Sequence, residues 1–153
     1  MYKLKQGNCI ELMPQIPSGS VDMILCDLPY GTTACKWDTV IPFEPLWAEY
    51  KRIIKKNGAI VLFGKEPFSS NLRLSNLDWF KYDWQWVKSR KNGFVHAKGM
   101  PLRETEIISV FSSGSIRRDS TNPMVYNPQG VEPFKKKRVN YVKTTNAYSG
   151  GHE

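Results

Sequence analysis

Four consecutive residues, Asp27-Leu28-Pro29-Tyr30, put a carboxylate, a conformationally locked imino acid and a phenol within one turn. These types suit the grip of a planar ring that bears an exocyclic amine. The Asp27 carboxylate accepts one amine hydrogen and the Leu28 carbonyl accepts the other. Pro29 stiffens the turn so that both acceptors face one way, and Tyr30 offers a flat face for stacking. Drawing both protons toward acceptors leaves the nitrogen lone pair more available for attack on an electrophilic methyl carbon. The same tetrapeptide also fits an ordinary β-turn with a surface aspartate and a packed tyrosine, so its neighbourhood must decide.

The elements around it have the pattern of an α/β sheet. Val21 to Cys26 is a short, mostly apolar run that stops at the tetrapeptide and Gly31, as a buried strand does before a turn. Pro42 to Lys56 carries Phe43, Leu46, Trp47, Tyr50, Ile53 and Ile54 at helical spacing, with Lys55, Lys56 and Gly58 as its stop signal. Ala59 to Phe63 is a second apolar run, Glu66 to Asn76 a short helix, and Phe80 to Val87 and Glu106 to Phe111 two further strands. Strand and helix alternating in this order predicts parallel crossovers, with the tetrapeptide at a strand's carboxyl end, where such sheets bind ligands. Trp47 and Tyr50 fall on the helix face that meets the core. Trp84 and Trp86 share one strand face and are expected to pack, and the cysteines are read as small buried hydrophobes. His96 stands near Lys98 in a loop, with nothing to support a catalytic role.

The chain has 153 residues, enough for one sizeable core and too few for two. Its 22 Lys and Arg against 14 Asp and Glu give a net charge of +8, unevenly spread. Residues 1–80 hold 9 basic and 8 acidic side chains, whereas 81–153 hold 13 and 6. That asymmetry fits a polyanion partner, although simple solubility explains it equally well. No apolar run approaches the ~20 residues that span a bilayer, so no membrane partner is expected. The start of the chain lacks a signal-like apolar core, and Cys9, Cys26 and Cys35 form neither a disulfide set nor a metal-ligand spacing. A reducing cytoplasm and no metal are the resulting expectations. Past Ser112 the periodic pattern stops, and prolines, glycines and Lys135-Lys136-Lys137-Arg138 follow. The domain reading is therefore 1–112 for an α/β body and 113–153 for a basic, extended and partly disordered arm.

Taken together, Gly7-Asn8-Cys9, Ser20 to Ile24 leading into Asp27-Leu28-Pro29-Tyr30-Gly31-Thr32-Thr33, Trp37-Asp38, Asn57 to Phe63, Trp86-Val87-Lys88, Gly93-Phe94, Ala97-Lys98, Pro101-Leu102, Glu106-Ile107-Ile108 and Tyr126 to Gln129 resemble the amino-methylating DNA methyltransferases. These carry an (Asp/Asn/Ser)-Pro-Pro-Tyr motif. The likeness is to the phage and bacterial permuted group, in which the catalytic motif precedes the cofactor motif. Only 26 residues precede Asp27, too few for the upstream cofactor loop of related protein-methylating enzymes.

The resemblance implies a Rossmann-like fold that uses S-adenosylmethionine and acts on double-stranded DNA. The target base is flipped out, and methyl transfer is direct. It makes Asp27, Leu28, Pro29 and Tyr30 catalytic, and puts Asn8, Cys9 and Asp27 at the cofactor. Lys88 and Lys98 match the family pattern as DNA contacts, and by their charge Lys135, Lys136, Lys137 and Arg138 would neutralise phosphates in an arm that helps to choose the target. Asp at the first motif position favours adenine N6 over cytosine N4.

Three positions depart from the pattern. Leu28 replaces a proline, Asn8 stands where aspartate is common, and the late Phe-x-Gly-x-Gly cofactor loop has no counterpart. The expected fold is thus partial, holding the catalytic-half strands and helices without the cofactor-loop strands. An unpaired sheet edge is then left for self-association or for a complementary half. The alternatives are a split enzyme or a DNA-binding relic without turnover.

Overall fold

The computed structural model describes residues 2–133, and the expected DNA contacts Lys135, Lys136, Lys137 and Arg138 lie outside the described residues. Two short turns of helix, α1 (Cys9–Leu12) followed by a 3₁₀ turn at Met13–Gln15, lead into β1 (Val21–Asp27). Then come α2 (Phe43–Ile53), β2 (Ile54–Gly64), α3 (Phe68–Leu74), β3 (Phe80–Asn92) and β4 (Arg103–Phe111). The four strands form one sheet in the order β1-β2-β4-β3. β1 and β2 are parallel, and β4 runs antiparallel between β2 and β3. Both helical crossovers therefore join parallel strands, as the alternation predicts. The second also leaves a gap into which the returning β4 fits. Among the described residues no helix is long and apolar enough to cross a membrane.

One face of the sheet carries the core. Leu46, Trp47, Tyr50 and Ile53 repeat along one side of α2 and press onto Ile60, Leu62 and Phe111, with Leu72 of α3 beside them. The opposite face has only a small cluster, Val61, Val110 and Met124. Met23 and Leu25 of β1 are 54% and 59% exposed there, and Trp84 and Trp86 are both 48% exposed. The two tryptophans do share a face as predicted. Trp86 meets Phe63 edge-on at 5.8 Å and Trp84 lies 5.7 Å from Tyr82, yet each keeps about half its surface in water.

Three expectations change. The helix ends at Ile53 rather than Lys56, because Ile54 turns extended and pairs with Val21. β-branched Ile54 favours that strand start, and Lys55 then reaches Asp22 at 2.5 Å. Gly58 serves not as a helix stop but as a close approach, since a Cβ there would lie 2.7 Å from the Asp22 carbonyl. The cysteines are not uniformly buried: Cys9 and Cys35 are exposed, and Cys26 is half-buried. The chain past Ser112 also folds back. The Met124 amide donates to the Ser115 carbonyl and the Ser115 amide to the Asn122 carbonyl, each at 2.8 Å, and the Val125 amide donates to the Asn57 carbonyl at 3.0 Å. This seats Met124 on the second cluster, a long-range contact that local periodicity does not encode.

Arg52 fixes the entry to β1. Its guanidinium donates to the Met13 and Ile16 carbonyls, each at 2.8 Å, and pairs with Glu49 at 2.7 Å. Arg52→Ala strands two carbonyls and a carboxylate, so denaturant melts should show a loss of about 2 kcal/mol.

Candidate active site

Asp27 is the last residue of β1, level with Phe63 on β2, and its carboxylate is exposed. Strand alternation puts Asp27 on the open face of the sheet with Met23 and Leu25. Leu28 takes the opposite direction into the core and is 5% exposed. The aliphatic side chain at the second motif position is thus a packing residue, and only its backbone remains for polar work. Pro29 and Tyr30 complete the turn, both half-buried.

Tyr30 does not stand free. Its hydroxyl donates to Asp27 Oδ1, and its ring leans on Phe68 of α3 with centroids 5.1 Å apart. Burial first, then the bond to Asp27 and the nearby negative charges of Asp27 and Glu106, push its phenol well above the ordinary range. Tyr30 is therefore a neutral donor and an aromatic surface throughout the working pH range.

The loop that follows is tied by a residue to which sequence reasoning gave no role. Asp38, 8% exposed, accepts from the backbone amides of Gly31 (2.9 Å), Thr32 (2.9 Å) and Thr33 (2.7 Å). The Thr33 hydroxyl, followed by these three amides, lowers its carboxyl to about 2 despite the opposing cost of burial. Gly31 begins the loop in the left-handed region at φ 68°, where a Cβ would come within 2.9 Å of Val40 Cγ2. The result is a firm arc from Asp27 to Asp38 around a cleft of about 350 Å³, open to solvent, with Asp27, Tyr30, Thr32 and Trp37 on its walls. Trp37 is 74% exposed at the rim. The only sequence signal for Asp38 was its adjacency to Trp37 in the resemblance. A carboxylate seven residues after a left-handed glycine looks like a surface charge until the loop closes.

The remaining predicted site residues are dispersed. Asn8 caps α1, accepting from the Ile10 amide at 3.0 Å and donating to Glu11 at 3.2 Å. Cys9 lies near Cys26, whose thiol is pushed up by burial and, to a lesser degree, by Cys9 and Asp27. Cys9 thus lies near the Cys26 end of β1, while the Asn8 amide is engaged in capping α1. Lys88 is held by Glu106 within the β3–β4 pair and sits over the Trp86 ring at 5.5 Å. Lys98 is exposed in the loop between β3 and β4. No cluster of three or more His, Cys, Asp or Glu that could hold a metal occurs among the described residues.

No family model matches the chain. Solved structures with a similar fold are DNA methyltransferases and their relatives. M1.HpyAVI matches at a TM-score of 0.51 with 22% identity over 82% of this chain and 57% of that one. The PvuII DNA methyltransferase, described as cytosine-N4-specific, matches at 0.50 with 13% identity over 70% and 47%. A complex of M1.HpyAVI with SAM scores 0.47 at 19% identity over 75% and 59%. The fold is thus a partial methyltransferase-like α/β sheet. The chain spans about half the length of the solved structures it matches.

Proposed function

We propose that this chain is the catalytic-turn portion of an S-adenosylmethionine-dependent DNA methyltransferase that acts on the exocyclic amine of a flipped base. The observation that carries the reading is Asp27. It is an exposed carboxylate at the carboxyl end of a parallel strand, opening on a cleft with aromatic walls, in a methyltransferase-like sheet. A base in a duplex cannot reach such an acid, so it must leave the stack and enter the cleft. There the Asp27 carboxylate and the Leu28 carbonyl each accept one amine hydrogen, while Tyr30 and Trp37 offer ring faces. Polarised this way, the amine nitrogen attacks a methyl carbon. The methyl group would come from bound S-adenosylmethionine, and Asp27 would pass the amine's surplus proton to water.

The residues present fit one side of the cofactor. Asp27 offers a carboxylate at the end of β1 with Cys9 near Cys26 beside it, and these, with Asn8 at the cap of α1, would hold S-adenosylmethionine from that side. When bound, the cofactor supplies a sulfonium-activated methyl group. Groups that reach the cofactor from one side give the chain alone weak affinity and slow turnover, and micromolar binding by calorimetry would contradict this.

Adenine N6 is the assigned target, on the aspartate at position 27. Cytosine N4 is the alternative that the PvuII likeness favours. Chain in excess over duplex DNA, given labelled S-adenosylmethionine at millimolar concentration, should yield N6-methyladenine on nucleoside analysis. N4-methylcytosine would correct the base. Unlabelled DNA would leave a binding relic as the better account.

The open edge of β1, with Met23 and Leu25 exposed, is where we place a complementary methyltransferase half, or a second copy of the chain in its absence. Met23→Lys with Leu25→Lys should then abolish concentration-dependent association in sedimentation velocity. An unchanged profile would remove that edge from the account.

A further inference from the structure

β3 and β4 do not stop where the rest of the sheet stops. β2 ends at Gly64, level with Ile107, and β1 ends at Asp27, one step away. The pair continues past that line through Trp86–Glu106 and Val87–Thr105 to Asn92–Arg103. Four residues of β4 lie beyond Ile107 against seven of β3, which bulges between Val87 and Asn92, so at ~3.3 Å per residue the paired ribbon projects roughly 13 Å from the end of the sheet that carries Asp27.

Its tip is built rather than loose. Gly93, at φ 95°, starts a 3₁₀ turn at Phe94–His96, and the amides of Gly99 and Met100 both donate back to the His96 carbonyl. This ordered turn holds Phe94 69% and Val95 92% exposed. Apolar side chains fixed in water at the end of an arm are a mark of a contact surface.

The charges around them identify the partner. Both glutamates of the ribbon are neutralised at home, Glu106 by Lys88 and Glu104 by Lys91 at 2.8 Å. Arg90, Lys98 and Arg103 are exposed and have no acidic partner among the described residues. The arm is thus a two-stranded ribbon, cationic on its flanks and apolar at its tip, rising beside the acid that must receive a base. A duplex major groove, ~12 Å wide, admits such a ribbon, and apolar side chains inserted at a base step hold it unstacked.

We propose that the β3–β4 ribbon is a DNA-gripping finger, with Arg90, Lys98 and Arg103 on phosphates and Phe94–Val95 as the wedge that fills the space a flipped base vacates. This deepens the methyltransferase reading and rests on it for the position of the flipped base.

The test is equilibrium binding of the full chain to a short duplex and to the same duplex with one abasic gap. The native chain should prefer the gapped duplex about tenfold, since the unstacking cost is already removed. Phe94→Ser with Val95→Ser should bind both alike, with unchanged affinity for the intact duplex and unchanged salt dependence. Arg90→Ser, Lys98→Ser and Arg103→Ser together should weaken both and flatten the slope of log K against log salt by about 2 to 3. All these side chains are exposed, so melting temperatures should hold. A gap preference that survives loss of Phe94 and Val95, or that the native chain lacks, overturns the finger. Methyl incorporation is followed in the same samples. Its absence beside an intact gap preference would sink the transfer chemistry and leave the finger standing.

Discussion

Asp27→Ala should cut the single-turnover rate of methyl transfer by about 100-fold or more, the usual scale for losing one preorganised polar contact to the reacting group. The change should leave stability and duplex affinity nearly untouched, because Asp27 is exposed and its side-chain bond runs only to the Tyr30 hydroxyl. Asp27→Asn keeps an acceptor oxygen and gives up the charge, so its rate should fall between the two. Tyr30→Phe frees Asp27 Oδ1 and retains the ring on Phe68, and should cost only a few-fold. Rapid-quench measurements at millimolar S-adenosylmethionine separate these cases. A wild-type rate from Asp27→Ala would end the assignment of that acid to the amine.

The second large effect belongs to Asp38, which touches no reacting atom and acts by positioning. Its carboxylate gathers the amides of three successive residues directly after Tyr30. Asp38→Ala leaves those donors without an acceptor in a nearly closed site, and the arc that walls the cleft loosens. Hydrogen exchange at Gly31, Thr32 and Thr33 should rise at least tenfold while the amides of β2 and β4 keep their protection. In the assay kcat should fall about tenfold with DNA affinity retained, and Asp38→Asn, which keeps one acceptor oxygen, should recover part of both. The pH dependence has a definite sign. Because the folded carboxyl is lowered to about 2, the anchor is complete above the ordinary aspartate range and is lost only as pH falls through about 2. Exchange at these amides should therefore show no pH-dependent opening between neutrality and pH 4. Opening in that window would mean that Asp38 does not hold the loop.

Local pattern revealed the strand that ends at Asp27, because an apolar run broken by proline and glycine is a short-range signal. The same holds for the buried stripe of Leu46, Trp47, Tyr50 and Ile53, since all four lie on one helix. What remained hidden depends on distant parts of the chain meeting. The insertion of β4 between β2 and β3 needs strands separated by some forty residues to pair. The helix stop at Ile53 is set by Val21 across the sheet, which overrides the lysines and Gly58 further on. Asp38 became informative only once three amides turned toward it. Leu28 was visible as a departure from the motif, but its reason, a place in the core, required the packed structure.

The position of β1 at the rim has a mechanical consequence. The acid proposed to hold the substrate amine is seated on a strand that is hydrogen-bonded to β2 on one side and to no described strand on the other. Such a strand frays at lower free energy than one in the middle, so the aim of Asp27 is softer than that of a residue two strands inward. Anything that zips onto the rim would damp this motion without touching the cleft. Catalytic power would then rise with assembly rather than with any change in the groups that do the chemistry.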